Sequence, residues 1–234
     1  MSDPNLPLLE DAVRKLARFL DEIVFVGGVT LGLLITDVAA APIRGTTDVD
    51  VIAEIVTYAD YIAFSDRLRA AHFTEDTDLT CRWHNGDLTL DVLALSKDVL
   101  GFTNVWYEPA LRHSSTVNLS GGKAIRVIAA PFFLGTKMEA FRGPGRMDFQ
   151  ASHDLEDFIA VIEGRNTLLQ EIAESPQDLQ DYLAEAAKSL LAQSRFMDVL
   201  PGFVLDSERV PMIRERLATI AAGVPRSPRR NAEV

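Results

Sequence analysis

Arg44-Gly45-Thr46-Thr47-Asp48-Val49-Asp50, running on into Val51-Ile52-Ala53, decides how the rest of the chain is read. Along a strand, side chains alternate between faces, so Asp48 and Asp50 share one side while Val49 and Val51 enter the core. Two carboxylates held a few ångströms apart repel each other unless positive charge lies between them. The expected cation is Mg²⁺, with Mn²⁺ as its substitute, because such ions take a few carboxylates and leave their other positions to water and phosphate.

Upstream of this stretch, Leu8, Leu9, Ala12, Val13, Leu16 and Leu20 recur at helical spacing and predict a helix over 7–20. A buried strand over 22–26 follows and ends in Gly27-Gly28, after which 30–36 predicts a short helix. An Ala-rich, Pro-containing stretch at 38–43 leads to the Asp-bearing strand over 48–53, and 58–71 is again helical. Two strands over 79–83 and 88–95 are joined at Asn85-Gly86, a pair that tight hairpins favour. Asp91 falls within the second of them, between Leu90 and Val92, where an unpaired carboxylate is costly to bury. A further hairpin is expected around Gly121-Gly122, with arms over 115–119 and 125–128.

Beyond Pro131 the pattern turns helical, over 131–141, 152–163, 176–193 and 207–222, with Ser175-Pro176 marking one helix start. The expected class is α+β. A mixed sheet flanked by helices occupies 1–130 and carries the Asp residues, an α-helical half over 131–222 completes the site, and 223–234 is a disordered tail.

At 234 residues and 47% apolar content the chain can build a large core. No run approaches the roughly 18–20 apolar residues of a membrane span, and Met-Ser-Asp-Pro does not open a signal peptide, so no membrane partner and a cytoplasmic location are expected. The lone Cys81 excludes an internal disulfide and reads as a half-buried strand residue. A net charge of −11 argues against nonspecific attraction to nucleic acid, although Lys137, Arg142 and Arg146 around Gly143-Pro144-Gly145 form a local basic patch. Arg226, Arg229 and Arg230 fall in the tail. His72, His84, His113 and His153 show no metal-ligand spacing, and neither a Gly-x-Ser-x-Gly elbow nor a Gly-x-x-x-x-Gly-Lys-Ser/Thr loop is present.

Gly27-Gly28, then Thr47-Asp48-Val49-Asp50 on a strand, then Asp91 on a later strand, then Gly135-Thr136-Lys137-Met138-Glu139-Ala140-Phe141-Arg142, resemble the DNA polymerase β-like nucleotidyltransferase superfamily. Within it the pattern is similar to the AbiEii/AbiGii-type toxin nucleotidyltransferases, over roughly residues 22–165. The interval from Gly28 to Asp48 exceeds that family's usual spacing because of the insert at 38–43, a change that loop-closure entropy penalises only weakly.

The resemblance implies that Gly27, Gly28 and the helix after them receive a triphosphate, and that Asp48 and Asp50 bind metal. It implies that Asp91 completes the metal site and assists deprotonation of the acceptor hydroxyl. Lys137 and, in His153-Asp154-Leu155-Glu156-Asp157, Asp154 and Asp157 match the family's later site positions. The chemistry suits these residue types: in-line displacement at an α-phosphorus needs charge neutralised on entering and leaving oxygens, which two metals can do. Gly lets backbone approach phosphate, and a helix start favours an anion. Thr30 and Thr47 are candidate nucleotide contacts through their hydroxyls, and Lys137 through its charge. Arg44 is read either as a bidentate phosphate ligand or as a salt bridge fixing the Asp strand. For Asp154 and Asp157, helix-start capping is the competing account.

The expected activity is transfer of an NMP from an NTP to a hydroxyl on an RNA 3′ end or a protein. The resemblance adds the role of a bacterial toxin or phage-defence effector with a cognate antitoxin. Two other outcomes stay open, a small-molecule (aminoglycoside-like) nucleotidyltransferase and a catalytically silent nucleotide-binding module; Asp91 turned away from Asp48 and Asp50 would favour the last.

Overall fold

The computed structural model describes residues 3–143 and 147–225. Arg146 and the tail arginines therefore lie outside the described residues, as does most of the expected tail.

Seven strands form one mixed sheet: β1 (Ile23–Val26), β2 (Val49–Ala53), β3 (Thr74–Glu75), β4 (Arg82–Asn85), β5 (Leu88–Leu93), β6 (Ser115–Asn118) and β7 (Ala124–Val127). Their spatial order is β3-β4-β5-β2-β1-β7-β6. β1 sits near the middle because Ile-Val-Phe-Val is apolar on both faces, and all four residues are buried. It pairs antiparallel with β2, whose own partner β5 runs parallel to it. Their register sets Asp50 beside Asp91, and β4 then sets Arg82 beside Asp91. Three charged residues thus stand in one row across three strands.

The helices are α1 (Leu6–Lys15), α2 (Leu31–Leu34), α3 (Tyr58–Ala70), α4 (Lys97–Leu100), α5 (Tyr107–Arg112), α6 (Ala130–Arg142), α7 (His153–Gly164), α8 (Leu168–Glu174), α9 (Gln177–Leu191), α10 (Ser194–Val199) and α11 (Val210–Ala222). α1 covers the sheet with Leu9, Ala12 and Val13 and ends earlier than its periodicity predicts. Leu16 is still buried, but the chain has left the helix for turns before β1. α3 opens on a capping box in which Thr57 and Asp60 satisfy each other's backbone amides.

The hairpin between β4 and β5 is displaced by one residue from the expected position. Asn85 pairs with Leu88, so the two loop residues are Gly86 and Asp87, and Gly86 takes the positive φ of +59°. The second hairpin turns at Gly122, as expected, with φ +76°.

After β7 all regular structure among the described residues is helical. α6 packs on α7, α8 and α9, while α11 packs on α9 and α7. The stretch at 38–43 is tied to this half: the Gly164 carbonyl accepts from the amides of Thr36 and Asp37, both at 2.9 Å. Arg209 then bridges Asp37 at 2.7 Å to the buried Glu163 at 2.5 Å. The loop is thus anchored at its leading flank. No described helix is long and apolar enough to cross a membrane.

Candidate active site

Asp50 follows Val49 into the sheet, and its carboxylate reaches across to the end of β1. There Gly27 has φ +70°, and a Cβ built on it would lie 2.0 Å from Asp50 Oδ2. Only glycine leaves room for that carboxylate and tolerates that backbone. Thr30, expected to face a ligand, is instead fully buried and donates its hydroxyl to the Gly27 carbonyl at 2.9 Å. It shapes the turn.

Asn5 holds the other side of the same corner. Its side-chain amide donates to the carbonyls of Gly28 (3.2 Å) and Arg44 (3.1 Å), and its oxygen accepts from the Thr46 amide at 2.9 Å. The Gly turn and the loop leading into β2 are thereby locked together by one buried side chain, 1% exposed, that sequence reasoning did not single out. An Asn just before a helix start reads as a cap, and nothing local marks its distant partners.

Asp48 lies at the mouth of β2. One oxygen accepts from the Thr46 hydroxyl at 2.9 Å and the other from Arg82 at 3.1 Å. The threonine touching the site is therefore Thr46; Thr47 is exposed. Arg82 also holds Asp91 in a two-point bond, Nε to Oδ1 and Nη2 to Oδ2, each at 2.8 Å. Asp91 is not turned away from its partners, but the positive group between Asp91 and Asp48 is a guanidinium. Among the described residues no three His, Cys, Asp or Glu are grouped as a metal site.

Asp50 is left as the uncommitted member, with no hydrogen bond or ion pair to it among the described residues. Burial, followed by the charge of Asp48, pushes its carboxyl up to about 7; Asp91 adds to the effect, while Lys137 and Arg82 oppose it. The same burial-plus-repulsion marks a place short of positive charge.

A second cluster adjoins the first. Asp157, on α7 and 0% exposed, accepts from Arg44 Nε and Nη2, both at 3.1 Å. Its Oδ2 also lies 2.7 Å from Lys137 Nζ, and Lys137 meets Asp154 at 3.1 Å. Of the two accounts of Arg44, the geometry realises the salt bridge, although the partner is α7 rather than the Asp strand. Lys137 is 11% exposed; burial depresses its pKa, and Asp157 and Asp154 more than restore it, so the net shift is upward. Asp157 is thus a hub between the sheet and the helical half. Of the described members of the expected basic patch, Lys137 faces carboxylates and Arg142 stacks on Tyr182 at 5.3 Å. Cys81 is buried just ahead of β4, and burial pushes its thiol pKa up.

Hard oxygen donors at Asp48 and Asp50, the latter admitted by the missing side chain of Gly27, fit a small divalent cation. Together the two clusters set six carboxylates, Asp48, Asp50, Asp91, Asp154, Glu156 and Asp157, against three cations, Arg44, Arg82 and Lys137. The excess of negative charge is of the sign that a divalent cation offsets.

No protein-family model matches the chain, and no curated protein does. Solved structures do. A Helicobacter pylori protein that carries a provisional nucleotidyltransferase assignment aligns over 95% of this chain and 96% of its own, with a TM-score of 0.50 at 14% identity. JHP933 from Helicobacter pylori aligns over 95% and 94%, with a TM-score of 0.48 at 17% identity. The antibiotic-resistance factor ANT(2'')-Ia aligns over 95% of both chains, with a TM-score of 0.39 at 13% identity. The first of these similarities defines the fold class: the chain is α+β with a nucleotidyltransferase-like mixed sheet and a helical C-terminal half.

Proposed function

We propose that the protein is a divalent-cation-dependent nucleotidyltransferase, which moves an NMP from an NTP to an acceptor hydroxyl and releases pyrophosphate. The observation that carries this reading is the Asp50 carboxylate, without a hydrogen bond or ion pair among the described residues, seated against Gly27 and repelled by Asp48 and Asp91. A carboxylate kept in that state costs stability, which is the mark of a group reserved for a ligand.

Asp50 and Asp48 would hold Mg²⁺ or Mn²⁺. Such an ion neutralises triphosphate charge and polarises the reacting phosphoryl group. Phosphate is assigned to the backbone of Gly27 and Gly28 by the motif resemblance alone. Lys137 contributes a positive field toward Asp50 while it is held by Asp154 and Asp157. In the reaction the acceptor oxygen bonds to the α-phosphorus, the bond to the pyrophosphate oxygen breaks, and the hydroxyl proton leaves to solvent or a carboxylate.

For the acceptor we favour an RNA 3′ end or a protein hydroxyl, and for the role a toxin or phage-defence effector paired with an antitoxin; the support is the motif resemblance described above. A cationic small molecule is the competing acceptor, supported by the net charge of −11. The test is transfer of label from each NTP, carried at the α-phosphate, into RNA, protein or an aminoglycoside panel. Label entering one fraction with wild-type protein and absent with Asp50→Asn supports the assignment and names the acceptor class. Equal labelling by both proteins overturns it.

A further inference from the structure

Among the described residues Arg82 is the one cation that touches the carboxylate trio, and the sequence gives it no motif to belong to. Its register position opposite Asp91 aims the guanidinium along the row that also holds Asp50. It takes both oxygens of Asp91 and one of Asp48, and the three side chains are only 27%, 13% and 31% exposed. The remaining Asp48 oxygen is taken by Thr46. Of the six carboxylate oxygens, the four on Asp48 and Asp91 are bonded to protein, and the two on Asp50 are not.

We infer that Arg82 is an internal counter-cation that competes with the divalent ion for Asp91 and Asp48. In the metal-free chain it keeps three like charges together, which lets the site form before any ligand arrives. The same bonds make metal binding harder, because an ion held by more than Asp50 must displace a two-point, charge-assisted pair. Arg82 is therefore a positioning residue that sets the cation concentration at which the site loads, and Asp91 becomes a ligand only when Arg82 lets go. This rests on the metal-site reading given above.

The experiment is Mn²⁺ titration of the full chain, with free Mn²⁺ followed by electron paramagnetic resonance. Arg82→Gln is expected to bind Mn²⁺ about tenfold more tightly than wild type, the worth of one charge-assisted hydrogen bond. The gain should vanish in Arg82→Gln/Asp91→Asn, since the freed ligand is Asp91. Metal-free Arg82→Gln should also melt below wild type and recover more of its Tm with Mn²⁺. Arg82→Lys keeps the charge but not the fork, so it should fold as wild type does and bind Mn²⁺ between the two.

Binding by Arg82→Gln, or by Arg82→Lys where the former does not fold, at or below the wild-type affinity overturns the inference. If wild-type binding is meanwhile lost in Asp50→Asn, the metal site itself stands. Absence of Mn²⁺ binding in every variant overturns both.

Discussion

The two charge clusters differ in balance, and the difference separates holding from binding. Around Asp157, the fully buried carboxylate is matched by two cations, Arg44 and Lys137, with Asp154 and the half-exposed Glu156 at the rim. Around Asp50, three carboxylates face one guanidinium, and Asp50 itself is left over. A balanced buried set fixes geometry, here the approach of α7 to the sheet half. An unbalanced set stores repulsion that a cation relieves. Folding tolerates the second cluster only because the first and the apolar core supply stability elsewhere.

The largest expected break in this contrast is at the hub. Asp157→Ala strands Arg44 and Lys137 without their shared partner, and removing one member of a buried charge set costs about 3–5 kcal/mol. Urea unfolding should show that loss with or without Mg²⁺. A change below about 1 kcal/mol, the scale of an exposed pair, would show that the Asp157 cluster does not hold the two halves together.

The pH response should run through the other cluster. Asp50 is raised from 3.8 to about 7, so its protonated form belongs to the folded state; its contribution is fully present below the unfolded value and is lost as pH rises through 7. Metal-free wild type should lose of order 2–4 kcal/mol between roughly pH 4 and pH 8 through this group. Asp50→Asn should flatten that part of the curve, which unfolding at a series of pH values measures. Saturating Mg²⁺ should flatten it as well, by keeping the carboxylate ionised and paired.

A smaller effect sharpens the comparison at the turn. Gly27→Ala forces a Cβ into Asp50 at a positive φ, and should cost about 1–2 kcal/mol together with Mn²⁺ affinity. At Gly28 a Cβ would meet Thr46 at 3.3 Å without a positive φ, so Gly28→Ala should be milder on both counts. Equal losses at the two positions would detach Gly27 from the Asp50 site.

Much of this was legible in the chain. The apolar runs at 23–26, 49–53 and 88–93 announce buried strands, and the long helices announce themselves by period. Alternation alone puts Asp48 and Asp50 on one side, and the parallel pairing of β2 with β5 brings Asp91 to them. What escaped depends on register or on brevity. Arg82 acquires its role only because β4 and β5 pair with Arg82 opposite Asp91, and that follows from a turn at Gly86-Asp87 that sits one residue later than the dipeptide signal suggests. Asp157 looks like one of three acids near the start of a helix; its partner Arg44 lies 113 residues away. α4, α5, α8 and α10 span seven residues or fewer, too few for a period to be read, and β3 is two exposed residues.

The most direct test of the central claim is urea unfolding of wild type and Asp50→Asn at pH 7.5, each metal-free and with Mg²⁺. If the Asp50 cluster exists for a cation, metal-free Asp50→Asn is at least as stable as wild type, and only wild type gains from Mg²⁺. An Asp50→Asn protein that is less stable than wild type without metal, or that gains equally from Mg²⁺, would contradict it.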